Sequence, residues 1–181
     1  MSELDEAWAL ALAAAEDRAR AAGRADLTEY LALRNTNDLK RKIGKAWLLE
    51  TFESFSGEAN ATGAAIEISR LDDHRFKVGN ATMVGSSVSL KKGVRALLVE
   101  AGWPRTPRDG FIRGGGLALA NIQHLGMKRA NEELRLLLDP AGSPLWVTEN
   151  KIEGHSHVHE SDLRNHLAIL LEDSRLRSPH T

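Results

Sequence analysis

The chain reads as an α+β protein. The expected order is an N-terminal helical layer, an antiparallel β-meander curled into a barrel-like sheet, and a closing C-terminal helix. Three observations lead there. Apolar residues recur at spacings of three and four over the first third of the chain. From Gly63 onward the period changes to two, with short turns between the runs. The three-and-four spacing then returns between Asp162 and Arg175. Residues 1–62 are therefore assigned to the helical layer and 63–181 to the β domain with its closing helix, packed as one compact unit. A chain of 181 residues with 42% hydrophobic content can bury a core without disulfides or metals. No alternation of strand and helix supports a dinucleotide fold.

Each element follows from local chemistry. Leu4, Trp8, Leu12, Ala15 and Ala19 share one helix face, with acids in the first turn, arginines in the last, and Gly23 to end it. Asp26 is placed to cap a short second helix over Leu27 to Leu33. A third helix is predicted from about Asn35 to Phe55, with Thr36 or Asn37 as its cap. Its apolar residues fall on two faces, Leu39, Ile43 and Trp47 against Leu48, Leu49, Phe52 and Phe55. A surface helix keeps one stripe, so this helix is expected to lie between the N-terminal helices and a sheet. Strands are predicted at Ala64–Ser69, His74–Val78, Ser87–Lys91, Val94–Glu100, Leu117–His124, Leu134–Leu138 and Leu145–Thr148. Asp72-Asp73, Gly79-Asn80, Lys92-Gly93 and Asp139-Pro140-Ala141-Gly142-Ser143 supply the turn chemistry.

Composition removes several functions. There is no cysteine, which excludes disulfide scaffolds, thiol nucleophiles, iron–sulfur clusters and thiolate zinc sites. Net charge is −1, so no overall basic field draws the chain to nucleic acid or a membrane surface. No apolar run approaches the roughly 20 residues of a membrane span. The acidic start, Glu3, Asp5 and Glu6, is unlike a signal peptide, and a cytoplasmic location is expected.

Three segments carry candidate chemistry. In Gly154-His155-Ser156-His157-Val158-His159-Glu160, the histidines alternate, so a strand would project His155, His157 and His159 from one face. Imidazoles suit a divalent transition metal such as zinc, manganese or nickel. The outer two would lie about 13–14 Å apart on a straight strand. One ion therefore needs a bend, or two of them joined by His124, His166 or a glutamate. Glu149-Asn150-Lys151 ends an apolar strand, with Asp139, Glu132 and Glu133 upstream. Acids that hold magnesium, beside a lysine that steadies an attacking water, are the parts of a metal-dependent phosphodiesterase. Glu149 and Lys151 are its candidate catalytic residues.

The third segment runs from Lys91 to Arg113 and takes in the long loop after the fourth predicted strand. Lys91, Lys92, Arg95, Arg105, Arg108 and Arg113 outnumber Glu100 and Asp109, and the segment leads into Gly114-Gly115-Gly116. Trp103 and Phe111 are interleaved. Trp103, Arg105, Arg108, Phe111 and Arg113 are the candidate binding residues, for phosphates and bases or for a protein surface. No lysine-serine pair follows the glycines, so this is no P-loop. No Gly-x-Ser-x-Gly elbow marks a serine nucleophile.

The balance favours a non-catalytic binding or assembly module that forms a homo-oligomer or docks on a protein partner. The acidic N-terminal segment (Glu3, Asp5, Glu6, Glu16, Asp17, Asp26 and Glu29 against Arg18, Arg20 and Arg24) complements the basic loop. The alternatives are a metal-dependent hydrolase built on His155, His157 and His159, and after it a nucleic-acid-binding module.

Overall fold

A computed structural model describes residues 3–150 and 154–172. Its elements are α1 (Glu3–Ala21), α2 (Ala25–Ala61), β1 (Glu67–Val78), β2 (Ala81–Lys92), β3 (Arg95–Trp103), β4 (Ala118–His124), β5 (Glu132–Leu138), β6 (Pro144–Asn150), β7 (Gly154–His157) and α3 (Glu160–Leu171). The α+β class stands. No described helix is long and apolar enough to cross a membrane.

The two helices predicted after Gly23 are one. No proline or glycine interrupts residues 25–43, and the expected cap at Thr36 turns its hydroxyl back onto the Ala32 carbonyl, 2.9 Å away. At 37 residues α2 is about 55 Å long. Its first half packs against α1 as an antiparallel hairpin around Leu12, Ala15, Ala19 and Leu31. Its second half lies on the sheet through Leu48, Leu49 and Phe52, none of which retains solvent exposure. Gly44 sets the closeness of that contact. A side chain there would stand 2.6 Å from a Leu136 methyl, and the Gly44 carbonyl accepts the Trp146 indole N–H at 2.8 Å. The expected sandwich does not form. Leu39 and Ile43 are 59% and 50% exposed, because α1 covers the Leu31–Asp38 side of α2 and leaves their side open.

The sheet is a seven-stranded antiparallel meander in chain order, β1 to β7. It is open: β1 and β7 are its edges, so the barrel-like closure expected from the sequence is not present. Asp72-Asp73 is a bulge inside β1, not a turn. The register slips between Leu71↔Ser87 and His74↔Gly85, with Asp73 at φ 56°. Asn60 ties the end of α2 to the sheet by accepting from Ile66 N at 2.6 Å and donating to Ile66 O at 2.9 Å. The hairpin of β5 and β6 is as predicted, with Asp139 accepting from Ser143 N at 2.8 Å.

Alternation along the strands gives the sheet two faces. Val88, Leu90, Leu97, Val99, Ala120, Ile122, Leu134, Leu136 and Trp146 meet α2 and the α3 residues Leu163, Leu167 and Leu170 in the main core. The opposite face holds a smaller core of Phe76, Ala81, Met83 and Leu119, joined by Ile112 from the long loop.

Candidate functional site

The structure divides the predicted binding loop. Trp103 ends β3 facing α2 and is 2% exposed. Arg105 follows it back to the helical side, and its guanidinium lies 3.9 Å over the Trp103 ring. Arg108, Phe111 and Arg113 remain at the surface, Phe111 with 74% exposure. Asp109 shapes this loop by accepting from Thr106 N and Thr106 Oγ1, both at 2.9 Å. The glycine run serves Arg135, which donates to the carbonyls of Arg113 and Gly115.

The histidine segment is the edge strand β7 and the start of α3. His155 and His157 are exposed on β7, and His159 caps α3, where its backbone N donates to Asp162 at 2.8 Å. The His157 and His159 rings are 6.1 Å apart. Among the described residues, no three His, Asp or Glu side chains converge as a metal cluster. Glu149 pairs its backbone with His155, while its side chain and the whole of Lys151 lie outside the described residues.

The densest electrostatics are where the helical hairpin meets the end of β3. Asp5, 1% exposed, accepts from Arg105 Nη2 at 2.7 Å and stands 3.7 Å from Lys45 Nζ. Burial pushes the Asp5 carboxyl up. The Arg105 hydrogen bond, with the charges of Arg105, Lys45 and Lys42, outweighs that and holds it below the ordinary value. Burial pulls the Lys45 ammonium down, and Asp5 opposes the change. Lys45 donates to Ser86 at 3.1 Å, and Ser86 donates to Asp72 at 2.8 Å, which carries the network to β1. The Arg105 Nε and Nη1 groups are buried with no hydrogen-bond partner among the described residues. Each such donor costs about 1–3 kcal/mol.

Beside this ionic core lies a cleft of ≈ 310 Å³ between the hairpin and the Trp103-Pro104-Arg105 segment. Asp38 in its wall accepts from Trp8 Nε1 at 2.7 Å and from Arg41 Nη1 at 2.6 Å, while Arg41 Nε reaches the Leu117 carbonyl at 2.8 Å. Asp38 and Arg41 are thus paired with each other. The Arg34 guanidinium lies 4.6 Å over Trp8, and among the described residues no carboxylate is within ion-pair distance of it. Tyr30, 58% exposed, and Leu33, 61% exposed, give the cleft an open apolar wall.

No known protein family, curated protein or solved structure matches the chain.

A second polar site lies at the other end of the sheet. His166 on α3 accepts or donates at both ring nitrogens, to His124 Nε2 at 2.9 Å and to Glu132 at 3.0 Å. Glu132 accepts from His166 Nε2–H, and His166 Nδ1 faces His124 Nε2. Burial, then the nearby His166, pulls the His124 ring below its ordinary pKa. His157 and His166 line one cleft of ≈ 380 Å³, but both nitrogens of His166 are engaged. On the helix-free face, Glu100 accepts from Asn121 and Gln123 and is bonded to His74 at 2.6 Å.

Sequence reasoning missed Asp5 and Lys45 as partners of the loop, and Asp38 as the partner of Trp8 and Arg41. Their helical spacing shows only that they sit on apolar faces. A signal was present in α3, where His166 falls among Leu163, Leu167 and Leu170. A histidine on a buried stripe needs polar partners.

Proposed function

We propose that this protein is an assembly module that forms a two-fold dimer through its helical hairpin. The observation that carries this reading is the outward face of α1 and α2. Among the described residues the hairpin's own core is Leu12, Ala15, Ala19 and Leu31, while Leu10, Leu39 and Ile43 lie outside it at 73%, 59% and 50% exposure. On α1 the acids Glu3, Glu6 and Asp17 share the side of Leu10. On α2, Lys40 and Lys42 flank Leu39 and Ile43. A second copy turned by a two-fold axis lays its acidic apolar α1 on the basic apolar α2 of the first, and the reverse contact repeats it. Self-complementary surfaces of this kind close a dimer. They also convert two half-covered hairpins into a four-helix bundle.

The test is mass in solution by light scattering, on wild type and on the Leu39→Glu/Ile43→Glu double variant. Wild type is expected at twice the 19.9 kDa chain mass and the variant at the chain mass, with unchanged circular dichroism. Raising salt should weaken the dimer, because exposed charges are screened. A wild-type monomer at micromolar concentration overturns the proposal.

A further inference from the structure

The geometry points to the cleft between the hairpin and the end of β3 as a binding site for a small aromatic anion, a planar ring that carries one phosphate or carboxylate. This site lies on the Tyr30–Arg34 side of α2, away from Leu39 and Ile43, so it does not depend on the dimer.

Charge selects the ligand's sign. Among the described residues, Arg34, Arg41, Lys45 and Arg105 surround the cleft and its ionic floor against Asp5 and Asp38. Asp38 is neutralised by Arg41 at 2.6 Å, and Asp5 is shared by Arg105 and Lys45. That leaves the Arg34 guanidinium without a carboxylate among the described residues. Its face is fixed against Trp8, which leaves its edge donors for a two-oxygen acceptor. A second arginine has unused donors, because Nε and Nη1 of Arg105 are buried without a hydrogen-bond partner among the described residues.

Shape selects the ring. The ≈ 310 Å³ volume is that of a small-molecule site. Its exposed lining includes the Tyr30 ring, and Trp8 and Trp103 form the deeper wall under their stacked arginines. A flat ring on Tyr30 covers apolar surface that water now meets, while the anionic group faces Arg34. An anion without a ring would leave Tyr30 and Leu33 uncovered, and a ring without a charge would leave Arg34 unpaired.

The experiment is a tryptophan-fluorescence titration of the full chain with adenosine 5′-monophosphate, salicylate, adenosine and inorganic phosphate. Saturable quenching by adenosine monophosphate or salicylate is expected, and which of the two binds tells phosphate from carboxylate. Adenosine and inorganic phosphate should each bind at least about tenfold more weakly. Arg34→Gln should weaken the preferred ligand by about tenfold or more. Among the described residues the half-exposed Arg34 holds no ion pair, so the variant loses only its stacking on Trp8 and should stay folded with a near-wild-type melting temperature. Tyr30→Ser gives the same readout through the ring if Arg34→Gln is unstable. The Leu39→Glu/Ile43→Glu variant should bind as wild type does, whatever its oligomeric state. Saturable binding by neither aromatic anion, or equal binding by the Arg34→Gln and Tyr30→Ser variants, overturns the assignment.

Discussion

Asp5 shows how one side chain holds an element in place. It sits in the first turn of α1, where a carboxylate also favours the helix dipole. It is buried against Arg105 and Lys45, whose side chains are only 10% exposed. Asp5→Ala leaves two buried cations without their carboxylate. Breaking a buried pair in this way costs about 3–5 kcal/mol, and local release of α1 limits the loss to the lower end. Urea denaturation and amide exchange within α1 check this. The pH dependence has a definite sign. The folded Asp5 carboxyl lies below its ordinary 3.8, so its contribution is present above that value and is lost as pH falls through the folded one. His124 acts in a separate window. Its folded pKa lies below the ordinary 6.5, so the unfolded chain takes up the proton first and stability declines as pH falls from 6.5. Thermal melts at several pH values should show that decline in wild type, and a smaller one in His124→Gln.

At the scale of elements, α2 does two jobs along one axis. Its C-terminal half is a core helix and its N-terminal half is half of a projecting hairpin. Gly44 marks the crossing, and the reason is steric: the helix backbone rests on Leu136 and accepts from Trp146. Gly44→Val should lift α2 from β5, break that hydrogen bond and cost about 3 kcal/mol or more, in line with overpacking plus an orphaned buried donor. Chemical denaturation and the near-ultraviolet signal of Trp146 would register it, and an unchanged midpoint would refute it. The periodicity of residues 35–55 reveals two apolar faces. It does not reveal that Leu39 and Ile43 on one of them stay open while Trp47 packs against the main core, because coverage depends on where α1 and the sheet dock. Likewise the alternation of residues 64–78 shows strand on both sides of Asp72-Asp73. Whether those two acids turn the chain or bulge it depends on the partner strand, and β2 continues unbroken beside them.

For the whole molecule, the proposed dimer ties stability to concentration. The hairpin core is small, and a second copy would complete it. The melting temperature should therefore rise with protein concentration in wild type. The Leu39→Glu/Ile43→Glu variant should show no such rise. A concentration-independent melting temperature in wild type would separate hairpin stability from self-association and count against the bundle.

The α+β class, the closing helix, the strand-rich middle and the β5–β6 hairpin were legible in the sequence, because each rests on spacings within a few residues. The openness of the sheet was not, since closure depends on whether β1 and β7 meet, and alternation within a strand carries no information on that. Nor was the cleft legible. Its defining contacts join Trp8 to Asp38, Asp5 to Arg105 and Arg41 to Leu117 across separations of 30, 100 and 76 residues. The basic loop was visible as composition. Only the tertiary structure decided that Arg105 turns inward to an acid on α1 while Arg108 and Arg113 stay in water, because burial of a charge follows from the partner brought to it and not from its neighbours in the chain.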